Sequence, residues 1–406
     1  MRFIVTQTGA RRGYAVPLLL EKAGVLERFY TDLAGNVGLG KWFVKFGPLL
    51  GYRKLAAKLR ARRVPDSIKD RTVTFGGLTL WFECNRAFRA PDPAAQFRTQ
   101  LHWSRALGSA MARRGFGNAT HLYSMLGECG PVLKSARRHG LTTVTEIYIL
   151  LSAEKILAQE HRQFPQWEQQ IPNLDLVRSE FGEQKTLLSD TDFAVCPSEN
   201  VRRDLEENFS FCNAKCVVVP YGIDRNWLSQ PNHPIPGRVL FVGTAGLRKG
   251  IHYLVAAAEL LYGRGRPYQF QVAGGVTPQV KNQPAGRCLN FLGRVPCSEI
   301  RTQYSKADVF VLPSLAEGSA EATYEALAAG LPVITTAAAG SVVRDGVEGK
   351  IVPARDPMAL ANAIEEVIED RQLRARVSAA ARMRAGEYTL ERYGERLIAA
   401  LEGFKP

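Results

Sequence analysis

Phe241-Val242-Gly243-Thr244-Ala245-Gly246-Leu247-Arg248-Lys249-Gly250 reads as a strand ending at Val242, a turn with two glycines, a basic pair, and a helix from about Ile251. Such a turn offers free backbone N–H groups and the positive end of a helix dipole. Arg248 and Lys249 add formal charge beside them, and a diphosphate is the anion that suits this combination. A solvated basic turn is the plain alternative, because strand–glycine turn–helix is a common α/β junction.

The second stretch runs from a strand at Asp308–Leu312 through Pro313-Ser314 to Glu317-Gly318-Ser319-Ala320-Glu321-Ala322-Thr323-Tyr324-Glu325-Ala326-Leu327-Ala328-Ala329-Gly330. Glu317 falls in the loop after the strand, on the edge where open α/β sheets bind ligands. Gly318 permits close approach to the backbone. Glu325 falls in a largely apolar helix that Gly330 caps, where a carboxylate needs a polar partner. Two carboxylates so placed are each able to accept hydrogen bonds from paired sugar hydroxyls. The alternatives are an acid favoured by a helix N-terminus for Glu317 and a solvated helical acid for Glu325.

The spacing of Glu317 and Glu325 within Pro-Ser-x-x-Glu-Gly…Glu-Ala-Leu-Ala-x-Gly-x-Pro-Val-Ile resembles the Glu-x7-Glu motif of retaining glycosyltransferases of family four. Phe241–Gly250 is similar to that family's phosphate turn, and Val219-Pro220-Tyr221-Gly222-Ile223-Asp224 to its inter-domain linker. Cys196-Pro197-Ser198-Glu199, Phe291-Leu292-Gly293-Arg294-Val295 and Asp345-Gly346-Val347-Glu348-Gly349 match in the same order, so the resemblance covers most of the chain. It implies a GT-B fold and transfer of a hexose, with retained configuration, from a nucleotide sugar to an acceptor hydroxyl. It implies chemistry without a metal or other cofactor. Lys249, with Arg248, would neutralise the leaving diphosphate, beside Gly243 and Thr244. Glu317, with the backbone of Gly318 and Ser319, would contact the donor sugar, and Glu325 would hold the ribose. The loop at Arg294 and Val295 would read the base through backbone atoms. The loop from Gly9 to Gly13 would face the diphosphate from the other domain. Two positions depart from the pattern: Thr244 stands where the family has Arg, with Arg248 as a stand-in, and Glu146 stands near the family's His, which makes it an acceptor-side candidate.

These residues need scaffolds. Phe3–Gln7, Thr120–Tyr123, Leu141–Thr145, Asp192–Cys196 and Lys215–Val219 read as buried strands, and after Pro231 so do Arg238–Val242, Gln269–Ala273, Asn290–Leu292, Asp308–Leu312 and Pro332–Thr335. Longer, often helical segments separate them. That alternation predicts two doubly wound, Rossmann-like α/β domains facing across a cleft. The Gly- and Pro-rich Tyr221–Gly237 stretch is the hinge. The expected division is 1–224 for the acceptor, 225–380 for the donor, and 381–406 as a helix packing back toward the first domain.

The 406 residues are enough for two cores, and 46% are hydrophobic. Net charge is +14, which favours anionic partners. Nucleic-acid binding is a rival reading, but no recognisable module for it is present. A nucleotide-sugar epimerase, a glycan phosphorylase and a catalytically dead homologue are further rivals. Seven cysteines lack disulfide or zinc spacing, and no Asp-x-Asp triplet stands beside the Gly243–Gly250 turn to hold a metal at a diphosphate. The six histidines fall in no recognisable site. No secretory leader or bilayer-length apolar run is legible, so the expected place is the cytoplasm or the inner face of a membrane. From Leu33 to Pro65 no acid occurs, while Lys41, Lys45, Arg53, Lys54, Lys58, Arg60, Arg62 and Arg63 alternate with Trp42, Phe43, Phe46, Leu49, Leu50 and Tyr52. Residues 41–63 therefore suit an anionic membrane surface, and with it a glycan or lipid-linked acceptor. A basic helical face turned to water is the alternative.

Overall fold

The computed structural model describes residues 1–87, 92–169, 188–208 and 216–404. Cys212 lies outside them. Seven parallel strands form the first sheet: β1 Phe3–Thr6, β2 Leu26–Thr31, β3 Thr72–Thr74, β4 His121–Met125, β5 Thr142–Glu146, β6 Phe193–Cys196 and β7 Cys216–Val218, in the order β3-β2-β1-β4-β5-β6-β7. Six form the second: β8 Arg238–Val242, β9 Gln269–Ala273, β10 Leu289–Gly293, β11 Val309–Leu312, β12 Val333–Thr336 and β13 Gly349–Val352, in the order β10-β9-β8-β11-β12-β13. Every pairing is parallel, and strands such as β1 and β11 are wholly buried. Both sheets thus bury short apolar strands between helices, as a parallel sheet requires.

Each sheet reverses its strand order beside its first strand, between β1 and β4 and between β8 and β11. A crevice opens at such a point beyond the strand ends. All ten strands expected from the sequence are present: Arg238–Val242 and Gln269–Ala273 match end to end, the described ends of the others differ by at most a residue or two, and Lys215 lies outside the described residues. Three more were not anticipated. β2 carries Glu27 and Arg28 in its middle, and β3 and β13 are short edge strands.

The chain crosses between the domains through Tyr221–Gly237 and returns at Tyr388–Thr389, where Ile223 and Thr389 pair as an isolated bridge. The division at 381 needs correction. Helix Arg371–Glu387 runs unbroken through that position, and the Arg382 guanidinium donates to the Ala329 carbonyl at 3.3 Å, tying it to the second domain. The next helix, Leu390–Gly403, packs on Ala15–Lys22 of the first domain: a Cβ on Gly394 would lie 2.6 Å from Leu19.

A second tie joins the domains. Helix Ala153–Gln163 places Glu160, 1% exposed, where His252 Nε2 approaches to 2.8 Å, Arg355 Nε donates at 2.8 Å and the Tyr253 hydroxyl donates. Burial pushes the Glu160 carboxyl up, but the hydrogen bonds from these three groups outweigh it and hold it down at about 2. Phe164 and Trp167 follow and pack on the His252 ring, at 4.6 and 5.8 Å between centroids.

Candidate functional site

The second crevice lies between the loops that follow β8 and β11. Helix Ile251–Gly263 starts after a 3-10 turn at Leu247–Lys249, with Gly250 at φ 69° between them. A Cβ on Gly250 would sit 2.0 Å from the Pro313 carbonyl oxygen, so only glycine lets the two loops meet there. The Leu315 N–H donates to the Arg248 carbonyl at 2.8 Å and locks them together. Three charged side chains converge as a result: Arg248 Nη1 is 2.5 Å and Lys249 Nζ 2.8 Å from Glu317 Oε1. Burial lowers the Lys249 ammonium below its ordinary value, and Glu317 pulls it back up. Two cations thus share one carboxylate at the sheet's ligand-binding edge.

Glu325 stands apart from this trio on helix Glu321–Ala328. It has the polar partner that its apolar surroundings demand: the Tyr304 hydroxyl donates to Oε2 at 2.7 Å. Burial nevertheless pushes its carboxyl up to about 7.

Thr244 is exposed and Arg294 comes beside it, both 3.8 Å from where a Cβ on Gly275 would be. Arg248 is already engaged by Glu317 and the Ala316 carbonyl, so the cation beside Thr244 is Arg294. Val295 follows, half-buried.

Three expectations need correction. Gly318 was to leave room for a ligand, but that room is filled. A Cβ on Gly318 would lie 2.0 Å from the Tyr148 carbonyl oxygen of the first domain, and the Ser198 hydroxyl donates to the Gly318 carbonyl. Ser319 is likewise buried, its hydroxyl donating to the Gly340 carbonyl at 2.8 Å. Glu146 is no open acceptor-side group. It is 1% exposed and accepts from the Tyr123 hydroxyl at 2.7 Å, the Tyr221 hydroxyl at 3.0 Å and Arg12 Nη2 at 2.5 Å. Arg62, finally, is not a surface cation of the basic segment: it pairs with Asp32 at 3.2 Å, beside Gly9.

The loop of Gly9 and Gly13 follows β1. The Gly9 N–H donates to Asp32 Oδ1 at 2.9 Å, and Arg12, Gly13 and Tyr14 are all left-handed, at φ 45°, 59° and 65°. Non-glycine residues in that region are strained and need the surroundings to hold them. Glu146 does so for Arg12, whose guanidinium also lies 3.9 Å over the Tyr221 ring.

Sequence reasoning missed two acids. Glu321 begins the helix of Glu325. Its side chain reaches solvent, yet protein surrounds it closely enough for burial to raise its carboxyl, with Arg12, Glu146, Arg11 and Lys249 all acting on it. It therefore lies between the first domain's glycine loop and the cations of the second. Its place four residues before Glu325, on the same helical face, was the available signal. Glu168 reaches from the first domain onto the glycine turn. A Cβ on Gly246 would lie 2.1 Å from its Oε1, and the Leu247 N–H donates to its carboxylate. Nothing in its local sequence marks it.

Against known proteins, residues 236–370 match the family model described as glycosyl transferases group 1. The chain is 26% identical over 243 residues to D-inositol 3-phosphate glycosyltransferase of Corynebacterium urealyticum, covering 53% of this chain and 57% of that one. It is 25% identical over 307 residues to alpha-D-kanosaminyltransferase of Streptomyces kanamyceticus, covering 73% and 68%. The first of these matches, like those to a second inositol phosphate glycosyltransferase and to glycogen synthase, spans little more than half the relative's length. Sucrose-phosphate synthase of Thermosynechococcus elongatus superposes with a TM-score of 0.66 at 20% identity, over 99% of this chain and 98% of that one. HepE of Anabaena in complex with UDP-glucose gives 0.64 at 14%, over the whole of both chains. At these identities the likeness establishes the fold, two Rossmann-like domains in the GT-B arrangement.

Proposed function

We propose that this chain of GT-B fold, whose second domain is of the group 1 glycosyltransferase family, moves a hexose from a nucleotide sugar to an acceptor hydroxyl with retained configuration. The observation that carries the reading is the convergence of Lys249, Arg248 and Glu317 at the crevice between β8 and β11. A nucleoside diphosphate gains charge as its bond to the anomeric carbon breaks, so fixed cations there stabilise the transition state more than the ground state. The anomeric C–O bond to the phosphate breaks and a bond to the acceptor oxygen forms on the same face. The acceptor proton leaves with the departing phosphate oxygen.

In this reading Lys249 and Arg248 hold the diphosphate. Glu317 keeps both cations in place until the donor arrives, and then contacts the sugar. Glu325 takes the ribose hydroxyls, Arg294 and Val295 meet the base, and Arg294 supplies the charge that Thr244 lacks. Protein cations do the neutralising, so no metal is required. Thermal melting with UDP, GDP and ADP, each with EDTA and then with magnesium, tests this. One nucleotide at a hundredfold excess over its dissociation constant is expected to raise stability by about 2.7 kcal/mol with EDTA present. No shift with any nucleotide, or a shift only with magnesium, contradicts it.

The acceptor is proposed to be a cell-envelope or lipid-linked glycan at the inner face of a membrane. Helices Gly38–Phe46 and Arg53–Arg60 and the turn between them expose Leu39, Trp42, Leu49, Leu50 and Tyr52, with Leu49 82% exposed. No described helix is long and apolar enough to cross a membrane. Exposed large apolar groups on a basic segment suit the headgroup region of an anionic bilayer.

A further inference from the structure

The hydroxyl that holds Glu325 belongs to a residue wholly out of reach of any ligand. Tyr304 lies on helix Cys297–Lys306 and is 0% exposed. Its ring stacks on Phe310 of β11 at 5.8 Å between centroids, and Trp227 of the domain crossing meets it edge-on at 5.4 Å. Held by a strand and by the crossing, the ring aims its hydroxyl at Glu325 Oε2, 2.7 Å away, with the Ala322 carbonyl farther off at 3.3 Å. A hydroxyl has one proton to give, and the shorter contact to an ionised acceptor takes it. Burial, and then the Glu325 charge, push the Tyr304 hydroxyl well above its ordinary value, so it stays a donor at any working pH.

Only one of the two Glu325 oxygens is used in this way. Among the described residues no hydrogen bond reaches Oε1, and Glu325 is half-buried, so that oxygen is left for a ligand. A free glutamate must freeze its side-chain torsions before it can bind anything, and Tyr304 freezes them in advance. Tyr304 also acts on the charge. Burial raises the Glu325 carboxyl, the Tyr304 hydrogen bond opposes the rise, Glu321 adds to it and Arg301 opposes it. Without the Tyr304 hydroxyl the carboxyl is both looser and more readily protonated.

We infer that Tyr304 is a positioning residue for the nucleotide, fixing the Glu325 carboxylate through Oε2 so that Oε1 is presented to the ribose. That role rests on the reading in which Glu325 takes the ribose hydroxyls, and deepens it. Trp227 sets the Tyr304 ring in turn, which makes the domain crossing part of the nucleotide site.

The test is calorimetry on the full-length chain from pH 6 to 9, with whichever of UDP, GDP and ADP binds wild type most tightly. Wild type, Tyr304→Phe, Glu325→Ala and the double variant are compared. At pH 7 Tyr304→Phe should weaken binding roughly tenfold, near the worth of one hydrogen bond to a charged group. The midpoint of its pH dependence should move upward, because the lost bond favoured the ionised carboxyl. In the Glu325→Ala background the same change should cost less than about twofold, since its effect runs through that carboxylate. A hydroxyl that only supports the fold costs as much in both backgrounds and leaves the midpoint in place. Either of those results overturns the inference, as does unchanged affinity in Tyr304→Phe. If Tyr304→Phe does not fold, Trp227→Leu carries the comparison: it removes the edge contact and should weaken binding roughly threefold, only where Glu325 is present. Equal losses with and without Glu325 overturn the inference there too. Wild-type affinity in Glu325→Ala at every pH, or no binding of any nucleotide, sinks the ribose reading and this role with it. A weakened Glu325→Ala beside an unaffected Tyr304→Phe sinks this inference alone.

Discussion

In the proposed function Lys249 meets the leaving group and Glu325 the ribose, and each gives a measurable outcome. If Lys249 faces the leaving group as proposed, the turnover of Lys249→Ala is expected to fall on the order of 10²–10³ with the fold intact. Wild-type turnover in that variant rules out its role. Glu325 titrates at about 7 because burial raises it, so its carboxylate forms as pH rises through that value. If that carboxylate holds the ribose, nucleotide affinity rises between pH 6 and 8 and Glu325→Gln is flat. The stability linkage has the opposite sign. A carboxyl raised in the folded state contributes stability that is present below its unfolded value and lost as pH rises through about 7. The melting temperature of Glu325→Gln should therefore gain on wild type as pH rises from about 4.5 to about 7, and a constant difference denies the titration. Glu317 and Glu325 were legible in the sequence because they are local, on one loop and the helix after it. The burial of Glu146 was not, since Arg12, Tyr123 and Tyr221 reach it from distant parts of the chain.

Elements set the precision of those groups. The two loops that carry Lys249 and Glu317 are held at Gly250 and Leu315, and both signals lie in the sequence: a glycine needed at a positive φ and a Pro-Ser strand end. β2 was hidden because its charged residues break the apolar run that marked the other strands. The 153–168 segment was illegible for another reason. Its partners His252, Tyr253, Arg355 and Leu247 belong to the other domain, so no local pattern announces them. Glu160 is held low by His252, Tyr253 and Arg355, so its contribution is complete above its unfolded value near 4.5 and is lost as pH falls through about 2. Glu160→Ala is expected to cost roughly 2–3 kcal/mol at pH 7, as for a buried hydrogen bond to a charged group. The difference from wild type should shrink as pH falls below about 4.5, and a pH-independent difference contradicts the clamp. Glu168→Gln should tighten nucleotide binding, since the Leu247 N–H it loosens lies on the turn assigned to the diphosphate. Unchanged or weaker binding makes Glu168 a strut instead.

The whole molecule adds two features that no single element has. Two switch-point crevices, one per sheet, are brought together by chain crossings at Tyr221–Gly237 and Tyr388–Thr389. The sequence announced the first crossing by its Gly and Pro content and the two-domain plan by its repeated strands. The second crossing lies at a Tyr-Thr pair with no such mark. Net charge of +14 and the exposed Trp42, Leu49 and Leu50 lead to the membrane prediction. Vesicles rich in anionic lipid should sediment the protein, neutral ones should not, and high salt should release it. Each Lys or Arg near the surface contributes about 1 kcal/mol. Trp42→Ser with Leu49→Ser and Leu50→Ser should abolish co-sedimentation, and equal partitioning onto both vesicle types removes the proposal. The central claim is tested most directly by incubating the purified chain, in EDTA, with UDP-, GDP- and ADP-hexoses and a glycoside acceptor, and reading the product by proton NMR. The account predicts that one donor is consumed, its nucleoside diphosphate is released, and the product keeps the donor's anomeric configuration, all lost in Lys249→Ala. An inverted product, a hexose epimerised without release of diphosphate, or no consumption of any donor would contradict it.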